Sequence, residues 1–254
     1  MKLSIREPLG YQLSIMPEQS TKGKIVDFII DQKNYKIKYI VVDSGNFLSQ
    51  KLKYIPSKFI RSLDFKERTI HTILNSKEFL EFDETNSIET ISSIFKQKQK
   101  DMFDQMQFWE LRFYPNVSIP FVTHNLAISG LNSQTSIDLN EQELDTDLRS
   151  VRELLGYAVN VSDSKQLTLK DFVVDTINWR LKKLVLGNQY GVPWQKKYEL
   201  DMKEVKSISY SSKSVYTHGT AGRNLSLNEF DISKPINKNA YGVYYDYRGV
   251  VQEK

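Results

Sequence analysis

Apolar and polar positions along residues 27–42, DFIIDQKNYKIKYIVV, fall into a β-branched and aromatic run, four turn-prone residues from Asp31 to Asn34, and a second such run. That pattern predicts a β-hairpin. Residues 171–186, DFVVDTINWRLKKLVL, repeat it, with six of sixteen positions identical and seven more like for like, Tyr35/Trp179 and Lys36/Arg180 among them. The chain is organised as two copies of one β unit.

Around the first hairpin, Tyr11, Leu13 and Ile15 alternate as on a half-buried strand, and Lys51 to Ile55 ends at Pro56, which cannot donate to a ladder. Ser62 to Phe65 and Arg68 to Ile73 complete about six short strands. The spacings are too short for helical crossovers, so the sheet is expected to be mainly antiparallel and closed into a small barrel. A helix is expected from a cap at Asn86 or Ser87 to about Phe113, with Ile88, Ile91, Phe95, Met102, Met106 and Trp109 on its apolar face. Residues 114–137 show no clear periodicity and Asp138 to Asp147 is acidic and helix-tolerant, which together mark the boundary. The second unit then repeats Leu9-Gly10-Tyr11 as Leu155-Gly156-Tyr157, sets Tyr198 opposite Tyr54, and recovers Glu81-Phe82-Asp83 as Glu229-Phe230-Asp231. It ends in another amphipathic stretch, Ile236 to Tyr247, expected to be helical, with Asn237 as cap and Gly249 as stop. The fold class is mainly β with peripheral helices: two small antiparallel β-barrels, each followed by an amphipathic helix. Their boundaries are 1–82 for the first repeat, 83–149 for a long helix and acidic connector, and 150–254 for the second repeat and its tail.

At 254 residues, with 40% hydrophobic and 26% charged residues, the composition is that of an ordinary globular protein. Lys and Arg outnumber Asp and Glu by 14 to 9 over residues 1–82 and by 16 to 11 over residues 151–254, whereas residues 83–150 hold 5 against 11. Two basic units thus flank an acidic connector. No apolar run approaches the ~20 residues that span a bilayer, and MKLSIREPLG lacks a signal-peptide pattern, so a cytoplasmic location is expected. Without cysteine there are neither disulfides nor thiolate metal sites.

Quoted in order, Gly23-Lys24-Ile25-Val26-Asp27, Lys38-Tyr39-Ile40-Val41-Val42-Asp43 and Tyr54-Ile55-Pro56 in the first copy, and Leu155-Gly156-Tyr157 with Asn178-Trp179 to Leu186 in the second, resemble the PRC-barrel family. That domain is shared by the cytoplasmic part of the photosynthetic reaction centre H subunit and by the C-terminal barrel of the ribosome-maturation factor. Residues 229–249 resemble the tail of bacterial proteins made of two such barrels. The second copy departs from the first at Leu167 for Gly23, at Gly187 for Asp43, and in having no proline to match Pro56. The resemblance implies a fold and a habit of binding macromolecules, and it implies no single activity.

Candidate chemistry is sparse. Asp27/Asp31 and Asp171/Asp175 are spaced to share a strand face, where each pair can hold a hard cation or carry protons, while the second Asp of each also suits a turn. Three histidines, His71, His124 and His218, show no metal spacing, and there is no nucleophile elbow, Gly-rich phosphate loop or HExxH motif. The chain therefore reads as a non-enzyme with no cofactor and no metal. Candidate partner contacts are the repeated cations Lys36, Lys38, Lys51, Lys53, Arg180 and Lys182, and the aromatic residues Trp194, Tyr241 and Tyr245. A soluble adaptor docking a protein partner, or a second copy of itself, is the leading expectation. RNA or ribosome association through the Lys stripes and regulation of a membrane electron-transfer or stress-response complex are the alternatives.

Overall fold

The computed structural model describes residues 2–16, 18, 20–46, 49–82, 88–94, 96–97, 146–162, 165–189, 196–219, 225 and 227–230, with the backbone of 243–245 and 251–253. A short strand β1 (Lys2–Ser4) precedes the first unit. That unit contains β2 (Gln12–Ile15), β3 (Ser20–Asp31), β4 (Lys36–Asp43), β5 (Leu52–Pro56), β6 (Ile60–Asp64), β7 (Thr69–Thr72) and helix α1 (Ser76–Glu81). Another short strand, β8 (Leu148–Ser150), and the single turn α2 (Val151–Leu154) lead into the second unit. There β9 (Ala158–Ser162), β10 (Lys165–Asp175), β11 (Arg180–Gly187), β12 (Lys197–Asp201), β13 (Val205–Ser209) and β14 (Ser214–Thr217) repeat the plan, and β15 (Asn228–Phe230) follows.

Strand order runs β13-β14-β9-β10-β11-β4-β3-β2-β7-β6, which reads the same from both ends once each strand is replaced by its counterpart. The centre of that order is the junction of β11 with β4. Local backbone repeats with equal fidelity. Tyr35 and Trp179 sit at φ 55° and 51°, Arg68 and Lys213 at 49° and 48°, and Gly10 and Gly156 at 85° and 99°. Four non-glycine residues in the left-handed region, falling into two matched pairs, are a shared turn design. In each hairpin the register slips twice, at Val26 and Lys38 and again at Lys170 and Lys182, so that bulges bend both long strands alike.

The departures of the second copy are absorbed locally. Gly23 is needed because a Cβ there would lie 2.3 Å from the Asp43 carbonyl oxygen. In the second unit that strand carries Leu167, and the glycine stands across the ladder instead, as Gly187, the counterpart of Asp43. Pro56 leads into a 3-10 turn over Ser57–Phe59; its counterpart, Asp201, leads into the same turn over Met202–Glu204 and accepts a bond from the Lys203 amide. Fixed φ does the work in one unit and a side-chain cap in the other.

The expectations of barrel closure and of a helical tail are corrected. The sheet does not close: each unit ends at an edge strand, β6 or β13, because the 3-10 turn carries the chain away from the preceding strand instead of folding it back as a hairpin. Pairing is mainly antiparallel, as expected, with two exceptions. β2 runs parallel to β7, and β9 to β14, with the rest of each unit serving as the long crossover that parallel pairing needs. Finally, part of the tail expected to be helical, Val243–Tyr245, is a strand paired with Val251–Glu253, in keeping with the β preference of a Val-Tyr-Tyr run. The helix after the first unit is short, Ser76–Glu81, and Asn75 closes it with a capping box to Glu78. Helical residues 91–94 follow, where the Thr90 hydroxyl accepts the Ser93 amide, so the cap lies beyond the expected Asn86 or Ser87. Residues 96–97 are helical too, and the rest of the expected long helix lies outside the described residues.

One hydrophobic cluster serves both units. Phe28, Ile30, Ile40 and Val42 pack with Phe172, Val174, Leu184 and Leu186, and Leu3 and Ile5 join them from β1 and the residues after it. Such burial is the main stabilising term. No helix among the described residues is long and apolar enough to cross a membrane.

Candidate functional site

The two hairpins meet tip to tip. Lys36 stands opposite Arg180, the Ile37 amide donates to the Trp179 carbonyl at 2.7 Å, and the Leu181 amide donates to the Tyr35 carbonyl at 2.9 Å. Left-handed backbone at Tyr35 and Trp179 turns each of those carbonyls toward the other unit. The Trp179 ring stacks 6.5 Å from Phe28, which ties this seam to the core. Asp31 and Asp175 hold the turns, accepting from the Lys33 and Ile177 amides respectively, as the turn reading expects.

Asp27 and Asp171 do something else. Asp171 accepts the Ser4 hydroxyl at 2.5 Å and the Phe172 amide at 2.7 Å. Asp27 accepts the Ser150 hydroxyl at 2.5 Å, the Phe28 amide at 2.7 Å and the Arg152 amide at 2.9 Å. Both aspartates follow a bulge, and both hold a segment that enters from the other half. β1 pairs with β10 and β8 with β3, so each unit's lead-in strand lies on its neighbour's long strand. Burial pushes the Asp171 carboxyl up to about 6 against the opposing pull of the Ser4 bond, and burial raises Asp27 as well. Among the described residues no cluster of His, Asp and Glu is arranged to hold a metal ion.

The repeated lead-in behind this clasp, though not its crossing, was readable in the sequence. Residues 4–11, SIREPLGY, and 150–157, SVRELLGY, agree at six of eight positions, so the repeat begins at Ser4, five residues before the Leu9-Gly10-Tyr11 match.

Beside the seam lies a groove of about 450 Å³ between β6, the 3-10 turn before it, and the β10–β11 turn. Lys36, Lys58 and Arg61 line it with Ile60, Ser62 and Leu63 on one side and Thr176 to Trp179 on the other, and none of the lining residues is acidic. All three cations are exposed, and Lys58 lies over the Phe59 ring at 5.0 Å. Ile177, at the tip of the turn, is 84% exposed. Ser57 is committed to the fold, since its hydroxyl donates to the Ile37 carbonyl at 2.7 Å.

The predicted contact residues divide accordingly. Lys36 is in the groove wall and Arg180 is across the seam from it, whereas Lys38 and Lys182 occupy bulge positions and so do not continue an alternating stripe. Lys38 also pairs with Asp31 at 3.5 Å. Lys51 is exposed away from the seam, next to Asp43. Lys53 is buried: its ammonium donates to the Phe82 carbonyl at 2.8 Å over the Phe79 ring, so it belongs to the packing of the first unit and not to a contact surface. Trp194 and Tyr241 lie outside the described residues, as does the side chain of Tyr245. Lys58, Arg61 and Ile177 were missed because they carry no motif, and only the approach of the second hairpin to β6 makes them neighbours.

A family model described as PRC-barrel domain matches residues 21–77, which take in β3 through the start of α1. No curated protein matches the chain.

Proposed function

We propose that the chain is a non-enzymatic adaptor built from two PRC-type units, and that it docks a protein partner at the groove beside the hairpin seam. The matched family domain supports the first unit, and the palindromic strand order with its paired positive-φ turns supports a second unit of the same design. The observation that carries the docking reading is the groove: three exposed cations with no acidic residue among the lining, next to an Ile177 side chain left in water. One exposed aliphatic side chain is ordinary by itself; beside a concavity with three cations and no carboxylate it completes a surface complementary to an acidic protein segment. RNA association draws on the same cations, but single-stranded nucleic acid needs open aromatic faces for stacking, and Trp179, the aromatic residue lining the groove, is only 8% exposed.

The test places a photo-crosslinking amino acid at Ile177 in the native cells, with a control at the exposed Leu80 on α1. A discrete protein captured at Ile177, absent at Leu80 and lost when Lys58→Glu and Arg61→Glu are combined, is the expected result. Nuclease-sensitive capture, or equal capture at both positions, overturns the reading.

A further inference from the structure

We infer that the groove takes an extended acidic peptide segment of the partner, added as an extra strand along the free edge of β6; this rests on the adaptor reading above. Among the described residues β6 ends the strand order, and its partner β7 lies on one side only. Its other side is the groove wall, where Ile60 to Leu63 lie. A bulge at Arg61 interrupts β6, so its regular edge is Ser62 to Asp64, three residues at ~3.4 Å each, or roughly 10 Å of backbone.

The second unit shows what such an edge takes. There the chain's own extended segment 147–149 reaches the equivalent place: the Arg149 guanidinium donates to the Ile208 carbonyl of edge strand β13 at 2.8 Å and to the Gln32 side chain at 2.6 Å. Ahead of it, Asp147 pairs with Lys33 on the facing hairpin turn. In the first unit the counterparts of Ile208, Arg149 and Lys33 are Leu63, Leu3 and Ile177. Leu3 has no donor to offer the β6 edge, and Ile177 has no charge to hold. An incoming strand supplies the backbone donors that Arg149 replaces on β13. Lys36, Lys58 and Arg61 are placed to receive its carboxylates. Backbone bonding gives such a complex affinity and alternate side-chain contacts give it specificity.

The experiment pans a bead-displayed library of random ten-residue peptides with the full chain and measures the best binder by fluorescence anisotropy. Enriched peptides are expected to alternate Asp or Glu with Val, Ile or Thr. Affinity is expected to fall at least tenfold with Lys58→Glu/Arg61→Glu, whose thermal midpoint stays that of the parent chain, and at least tenfold when alternate peptide amides are N-methylated. Enrichment without acidic residues, no enrichment, or indifference to N-methylation overturns strand addition. Displacement of the bound peptide by oligouridylate at equal charge assigns the groove to nucleic acid and overturns it too. If crosslinking at Ile177 captures a protein while panning fails, the adaptor reading stands and strand addition falls; if crosslinking also fails, both fall.

Discussion

Leu3 and Arg149 occupy equivalent places on β1 and β8, each opposite the same position of the other unit's long strand, Val174 and Ile30. Both are fully buried. Around Leu3 the cluster is apolar, whereas Arg149 reaches through it to the hairpin turn and to the edge of β13. Among the described residues, one unit therefore has its edge bridged by the chain's own guanidinium and the other does not. Two copies of a fold need not keep two copies of a surface, because one buried side chain changes what the adjacent edge can accept.

The largest expected effect comes from breaking that bridge. Arg149→Ala strands the Gln32 oxygen and the Ile208 carbonyl without their charged donor and leaves a cavity, so urea denaturation is expected to show a loss of about 3–5 kcal/mol. Arg149→Leu, which makes β8 resemble β1, is expected to cost only ~1–2 kcal/mol, because a buried ionic group is often replaced by an apolar one at little net cost. Equal damage from both substitutions would break the equivalence of Leu3 and Arg149.

Next in size is the pH dependence of the clasp. The Asp171 carboxyl titrates near 6 in the folded chain against an ordinary value of ~3.9, so folding favours its protonated form. Its contribution is fully present below about pH 4 and is lost as pH rises through 6, which lowers stability by about 3 kcal/mol at pH 8. Asp171→Asn is expected to remove that slope from a series of denaturation curves between pH 4 and pH 8. Asp27→Asn should act with the same sign and less strongly, because Asp27 is less deeply buried. Smallest is the loss of the clasp hydroxyls: Ser4→Ala and Ser150→Ala are each expected to cost about 2 kcal/mol, as for bonds to a charged acceptor, with Ser4→Ala the worse of the two because Asp171 has less water to turn to. The reverse order in thermal melts would show that the two clasps are not equivalent in energy.

Much of this was legible in the chain. The hairpin copies placed Asp31 and Asp175 in turns, and the alternation of Tyr11, Leu13 and Ile15 marked β2, because side-chain period and turn chemistry are local properties. Lys53 looked like its exposed neighbour Lys51 because a cation on a strand carries no sign that a helix will cover it; α1 and Phe82 do so from about thirty residues away. The groove was invisible for the same reason. Lys36, Arg61 and Ile177 come from two units and have no common spacing.

From its residues alone, this protein's duplication, the placement of its hairpins, the β class and even the shared Ser-x-Arg-Glu lead-in are determined, since each is written in the order and type of neighbouring side chains. Tertiary structure alone decided that the lead-ins cross, that β4 meets β11, that β6 keeps a free edge, and that Arg149 spans its counterpart. Strands pair through backbone groups that every residue carries, so which strand meets which is settled by how the two units bury their apolar faces together.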